Sequence, residues 1–155
     1  MMTALRTLIS GVTGQTKRTD REEDRCRVAI AGLLIRTASI DTELSPARSN
    51  KLHSALKTYF GSDDVATAAL KAQGAKAARE AVDLYHFTRT IKLLVNEEGC
   101  RRIIRMMWEV IHADGSVSPL ESNIVWRAAD LLGVSSRQRI ELRIASERAA
   151  LAGSA

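Results

Sequence analysis

One twelve-residue stretch occurs twice in this chain, and that duplication limits the possible folds more than any other feature. His112–Ala113–Asp114–Gly115–Ser116–Val117–Ser118–Pro119–Leu120–Glu121–Ser122–Asn123 restates Ser39–Ile40–Asp41–Thr42–Glu43–Leu44–Ser45–Pro46–Ala47–Arg48–Ser49–Asn50. Asp41 and Asp114, Pro46 and Pro119, and Asn50 and Asn123 are each 73 positions apart. Such self-similarity at a fixed offset marks a duplicated supersecondary unit, so two related halves are expected.

The second copy spells a joint between two helices. A helical pattern ends at Asp114–Gly115, where glycine tolerates positive φ. Ser118 then stands as N-cap, Pro119 at the first helical position and Glu121 at the third, a complete Ser-x-x-Glu capping box. The first copy keeps Ser45 and Pro46 but has Thr42 for the glycine and Arg48 for the glutamate. Its box cannot close. Ser45→Ala should therefore cost less than Ser118→Ala, and Arg48→Glu should mildly stabilise the chain by rebuilding the box.

Elsewhere, apolar residues recur at helical spacing and no stretch alternates with period two. Leu5, Leu8, Ile9 and Val12 form a short amphipathic arm, followed by a link through Gly14–Arg18. Residues 1–18 are thus an N-terminal arm and linker, and 19–152 the domain. The arm is too short and polar to span a membrane and lacks the apolar region of a secretory signal; it docks loosely on the domain or frays, or else serves as a partner-binding arm or makes peripheral membrane contact.

The domain opens with overlapping capping signals at Thr19 and Asp20 and carries Ile30, Leu33, Leu34 and Thr37 on one face. Leu52, Ala55, Leu56, Tyr59 and Phe60 follow the first joint up to Gly61. A short alanine-rich helix is expected to end near Gly74, with a longer one from about Ala75 to Val95 burying Leu84, Phe87, Ile91 and Leu94. Asn96 caps a helix with Ile103, Ile104, Met107 and Ile111 as its seam. Ile124, Val125, Ala128, Leu131 and Leu132 lead to Gly133, and a last helix turns Ile140 and Ile144 inward. The fold class is all-α: a single compact bundle of about seven or eight helices built from two pseudo-repeated helical hairpins.

Asp83–Leu84–Tyr85–His86–Phe87–Thr88–Arg89, then Met107–Trp108–Glu109–Val110 leading into Ala113–Asp114–Gly115, then Arg127–Ala128–Ala129–Asp130–Leu131–Leu132–Gly133–Val134–Ser135 together resemble the TerB-like tellurite-resistance family. The likeness runs from about Asp24 to Ser146 and is nearest the bacterial branch with an Asp-Gly-x-Val-Ser-x-x-Glu loop in each half. It implies a compact helical domain, a cytoplasmic setting, and an association with oxyanion and general stress response or with interaction modules. A related domain occurs in membrane-anchored DnaJ-like co-chaperones.

The site implied by the resemblance is acidic: Asp114 and Glu121 from the second joint, Asp41 and Glu43 from the first. If the joints meet, these four carboxylates could hold a divalent cation, calcium or magnesium, with calcium best suited to oxygen ligands. Against this, Glu121 is used by its capping box, and Arg48 replaces one carboxylate with a positive charge.

Other chemistry is poorly signalled. His53, His86 and His112 are widely spaced, which suits neither zinc nor a Ser-His-Asp triad. Cys26 and Cys100 lack metal or redox spacing and read as reduced thiols. Net charge is +5, but lysines and arginines are interleaved with acids and no phosphate-binding loop occurs, so nucleic acid is not an expected partner. Arg101, Arg102 and Arg105 read as a solvated face. The expectation is a non-enzymatic cytoplasmic protein with protein partners and no required cofactor. The alternative is a cation-binding protein.

Overall fold

The computed structural model describes residues 16–40 and 43–153. Seven helices are found among them: α1 (Thr16–Ala38), α2 (Pro46–Phe60), α3 (Asp64–Glu80), α4 (Tyr85–Leu94), α5 (Glu97–His112), α6 (Pro119–Leu131) and α7 (Ser136–Gly153). No strand occurs among the described residues. The two hairpins of the repeat are α1–α2 and α5–α6, with α3 and α4 linking them.

α1 and α5 are the central helices. α1 lies against α3, α4 and α5, while α5 also contacts α2, α6 and α7. Their facing stripes form the core: Ile30, Leu33 and Leu34 from α1, and Ile103, Ile104, Met107 and Ile111 from α5, are almost wholly buried. Leu52, Leu56, Phe87, Ile91, Val125 and Ala128 close around them. Phe87 packs so tightly on α1 that a Cβ added at Gly32 would lie 2.6 Å from its ring.

The helix ends largely follow local chemistry. Asn96 accepts the Gly99 N–H at 2.8 Å, and Asp63 caps α3 by accepting from Ala66 N at 2.8 Å. Gly61 and Gly133 take the left-handed conformation that stops a helix without a Cβ penalty.

Several boundaries and faces depart from the sequence expectation. α1 begins at Thr16, so the capping signals at Thr19 and Asp20 fall inside a helix and Thr16–Arg18 are not a link. The amphipathic arm through Val12 lies outside the described residues. Gly74 does not end a helix but sits inside α3, where it permits close approach to α1: a Cβ there would lie 2.7 Å from Ala31 Cβ and 3.0 Å from its backbone carbon. The break comes later, at residues 81–84. Ala81 is extended there, and Asp83 accepts the His86 N–H at 3.2 Å. Arg36, reaching across from α1, donates to the Ala78, Ala81 and Val82 carbonyls left open at the end of α3.

The last helix is also turned differently. Ile140 and Ile144 are 50% and 42% exposed, whereas Ser146 is buried and Leu142 partly so. Because α7 lies along α5, the stripe through Leu142 and Ser146 sets its orientation.

Cys26 and Cys100 are buried free thiols. Burial, and next the neighbouring Cys100, push Cys26 up to about 12, while burial raises Cys100. Both stay protonated near neutral pH and pack as small apolar side chains.

Gly74→Ala should lower the melting temperature. The gain in helix propensity is worth about 1 kcal/mol, but overpacking against backbone that cannot rotate away costs about 1–3 kcal/mol. Thermal unfolding followed by circular dichroism checks the sign, and a more stable variant would contradict this packing.

Candidate functional site

The two copies of the repeated stretch meet, and the contact lies between equivalent positions. Arg48 and Glu121 are both third residues of their helices, 73 positions apart like every matched pair of the repeat. Their side chains form a buried ion pair, each only 4% exposed. Arg48 Nη2 donates to Glu121 Oε1 at 3.0 Å, and Nη1 donates to Oε2. The pairing is bidentate, matching the planar guanidinium to the carboxylate fork.

Three backbone carbonyls complete the cage. Arg48 Nη1 donates to Ala38 O at 2.7 Å, at the end of α1; Nη2 donates to Ile111 O at 3.0 Å and Ser116 O at 2.6 Å, in the second joint. Asp114 Oδ2 lies 3.3 Å from Arg48 Nε. Six oxygens therefore converge on one guanidinium, drawn from α1, from α5 and its following loop, and from α6. Orphan carbonyls at two helix ends are satisfied by a single side chain from a third helix.

Local sequence chemistry sets up each partner. The second capping box closes fully: Ser118 Oγ accepts from Glu121 N at 3.1 Å, and Glu121 Oε1 accepts from Ser118 N at 2.9 Å. Glu121 thus caps its own helix and neutralises Arg48 at once. Gly115, with φ of 76°, turns the chain so that Ser116 O faces the guanidinium. Asp114 accepts from Ser116 N at 3.0 Å and from Ser45 Oγ at 3.2 Å, stitching the second joint to the first.

The first box is half made rather than simply broken. Ser45 Oγ accepts from Arg48 N at 3.2 Å, as a cap should, while the Arg48 side chain extends away to its repeat mate. The capping grammar found Ser45, Ser118 and Glu121 and read Arg48 as a defect. Its role was missed because propensity rules treat residues one helix at a time. The available signal was the equivalence of positions 48 and 121, with opposite charge, in a repeat.

Of the four expected ligands, three lie among the described residues. Asp114 and Glu121 are brought together, but Arg48 stands at the point both address. Glu43 is exposed and lines a surface depression with Ile35, Ile40 and Leu44. Asp41 lies outside the described residues. No group of three His, Cys, Asp or Glu side chains able to hold a metal occurs among the described residues. At Asp114 and Glu121 the positive charge is supplied by the Arg48 guanidinium.

The remaining candidates are engaged elsewhere. His112 Nδ1 lies 2.8 Å from Trp108 O and its ring stacks on that indole at 5.6 Å between centroids. His53 pairs with Asp64. Arg101 and Arg105 pair with Glu98 and Glu109, and Arg102 lies over the Tyr59 ring, so the basic face is divided among intramolecular contacts.

Arg48→Ala should cost about 3–5 kcal/mol, the usual penalty for leaving a buried charge unpaired. Arg48→Lys should recover little, since one ammonium cannot reproduce a fork that serves a carboxylate and three carbonyls. Arg48→Glu should be strongly destabilising rather than mildly helpful, because it drives a second carboxylate against Glu121. Chemical denaturation of the three variants measures this directly. In the same experiment Ser45→Ala should cost as much as Ser118→Ala, each about 1 kcal/mol, because Ser45 also binds Asp114.

No curated protein and no solved structure matches the chain significantly. No helix among the described residues is long and apolar enough to cross a membrane. The family described as Tellurite resistance protein TerB matches residues 27–144, a span that takes in both joints, the Arg48–Glu121 pair and five whole helices, α2 to α6. With more than half of its length matched, the chain belongs to the TerB tellurite-resistance family.

Proposed function

We propose that this protein is a non-enzymatic interaction module of a cytoplasmic, tellurite- or oxyanion-related stress response. The observation that carries this reading is the Arg48 cage. Asp114 and Glu121, two of the carboxylates that would otherwise suggest a cation site, are bound to an internal guanidinium, and Glu121 also caps its own helix. They brace the two halves of the repeat instead of facing a ligand. What the fold offers to other molecules is therefore its outer helical surface, and protein partners suit such a surface.

The reading has a direct physical check. Calcium or magnesium titrated to millimolar concentration should leave the melting temperature of the wild-type chain unchanged, since a ligand that binds only the folded state would raise it by mass action. Affinity purification from tellurite-challenged cells should return a partner in stoichiometric amount with the wild-type chain and not with the destabilised Arg48→Ala variant. A metal-dependent rise in melting temperature, lost in Asp114→Asn, would transfer the function to divalent-cation binding.

A further inference from the structure

The last helix, α7, packs against α5. Its contact with α5 uses one stripe, on which Ser146 is buried and Leu142 partly so. At 3.6 residues per turn, Ile140, Ile144 and Leu151 lie together about 120–160° round the helix from Ser146. They are 50%, 42% and 73% exposed. Polar side chains flank this second apolar stripe. Glu141 and Arg148 are both exposed and stand seven residues apart on its outer side, the spacing of equivalent heptad positions, and Glu141 lies 3.5 Å from Arg137 Nε in an exposed contact on the same helix. Arg143 and Glu147, paired at 3.0 Å, border the other side, toward α5.

We propose that this stripe is a self-association surface on which α7 of a second copy packs antiparallel, giving a two-fold symmetric dimer. This deepens the interaction-module reading and rests on it, since it names the chain itself as one partner. Charge complementarity selects both occupant and direction. With the two-fold axis passing between Ile144 and Ala145, Glu141 of one copy faces Arg148 of the other, and the reciprocal pair forms by symmetry. In a parallel arrangement the flanks carrying Glu141 and Arg148 would lie on opposite sides of the seam, and the two residues would not meet across it. Three aliphatic side chains per copy are well short of the roughly 800 Å² per partner found in standard interfaces. The dimer is therefore weak and exchanges rapidly, so that it forms at high local concentration, for instance when copies are gathered on a common scaffold.

The test is sedimentation of the purified full chain over a concentration series, with charge-swap variants. The weight-average mass should rise toward that of a dimer as concentration increases. Ile144→Asp should abolish the rise, weakening association at least about tenfold. Glu141→Arg or Arg148→Glu alone should weaken it several-fold, and the two together should restore it. All three side chains are exposed, so melting temperatures should stay close to wild type and loss of fold is separable from loss of pairing. A full chain that remains monomeric throughout would overturn the proposal, including the case in which association appears only after removal of residues 1–15. Single reversals that tighten association would overturn the antiparallel geometry. Monomeric behaviour of the pure chain would leave the co-purification experiment to decide the interaction-module reading separately.

Discussion

The bidentate pair between Arg48 and Glu121 is the contact on which the rest of the structure depends. It joins the two halves of a duplicated unit at equivalent positions, where symmetry brings a residue onto its own repeat mate. Two identical acidic side chains at such a point would repel one another and would need a cation between them. Opposite charges remove that need. The bond network extends the same logic to the backbone, because the guanidinium also takes the Ala38, Ile111 and Ser116 carbonyls that the ends of α1 and α5 leave open. A buried ion pair by itself is weak evidence for stability, since desolvation offsets much of the attraction. Here its value lies in geometry: replacing both partners with apolar groups would strand the buried Ala38 and Ile111 carbonyls.

Much of the fold was readable from local chemistry. The Ser118–Glu121 capping box, the Asn96 cap, the glycine stops at Gly61 and Gly133, and the apolar seam of α5 all formed as their residue types require. What misled was a residue with two possible meanings. Gly74 marks a helix end by propensity, yet here it serves contact with Ala31, which only tertiary structure reveals. Ile140 and Ile144 follow helical spacing as well as a buried stripe does, but the side of α7 that meets α5 is decided by the neighbouring helix. Periodicity locates a face; it does not say which face is covered.

The site shows the same division. The sequence singles out Asp114 and Glu121 as candidate cation ligands, and both lie against Arg48 of the first joint. Their use did not follow. A cluster of carboxylates invites a metal only while nothing else supplies positive charge, and Arg48, which reads as a departure from the family loop, supplies it from within the chain. On the proposed reading the protein's function is carried by helical surfaces, with α7 as the face open to a second copy.

The central claim is that Arg48 acts as the internal cation of the Glu121 carboxylate across the repeat. A double-mutant cycle with Arg48→Met and Glu121→Gln, followed by chemical denaturation, tests it most directly. Residues in one buried network couple by about 0.5–3 kcal/mol, and the account predicts a value at the upper end, with each single change far more damaging than its share of the double. Purely additive losses, with no coupling between the two positions, would contradict it.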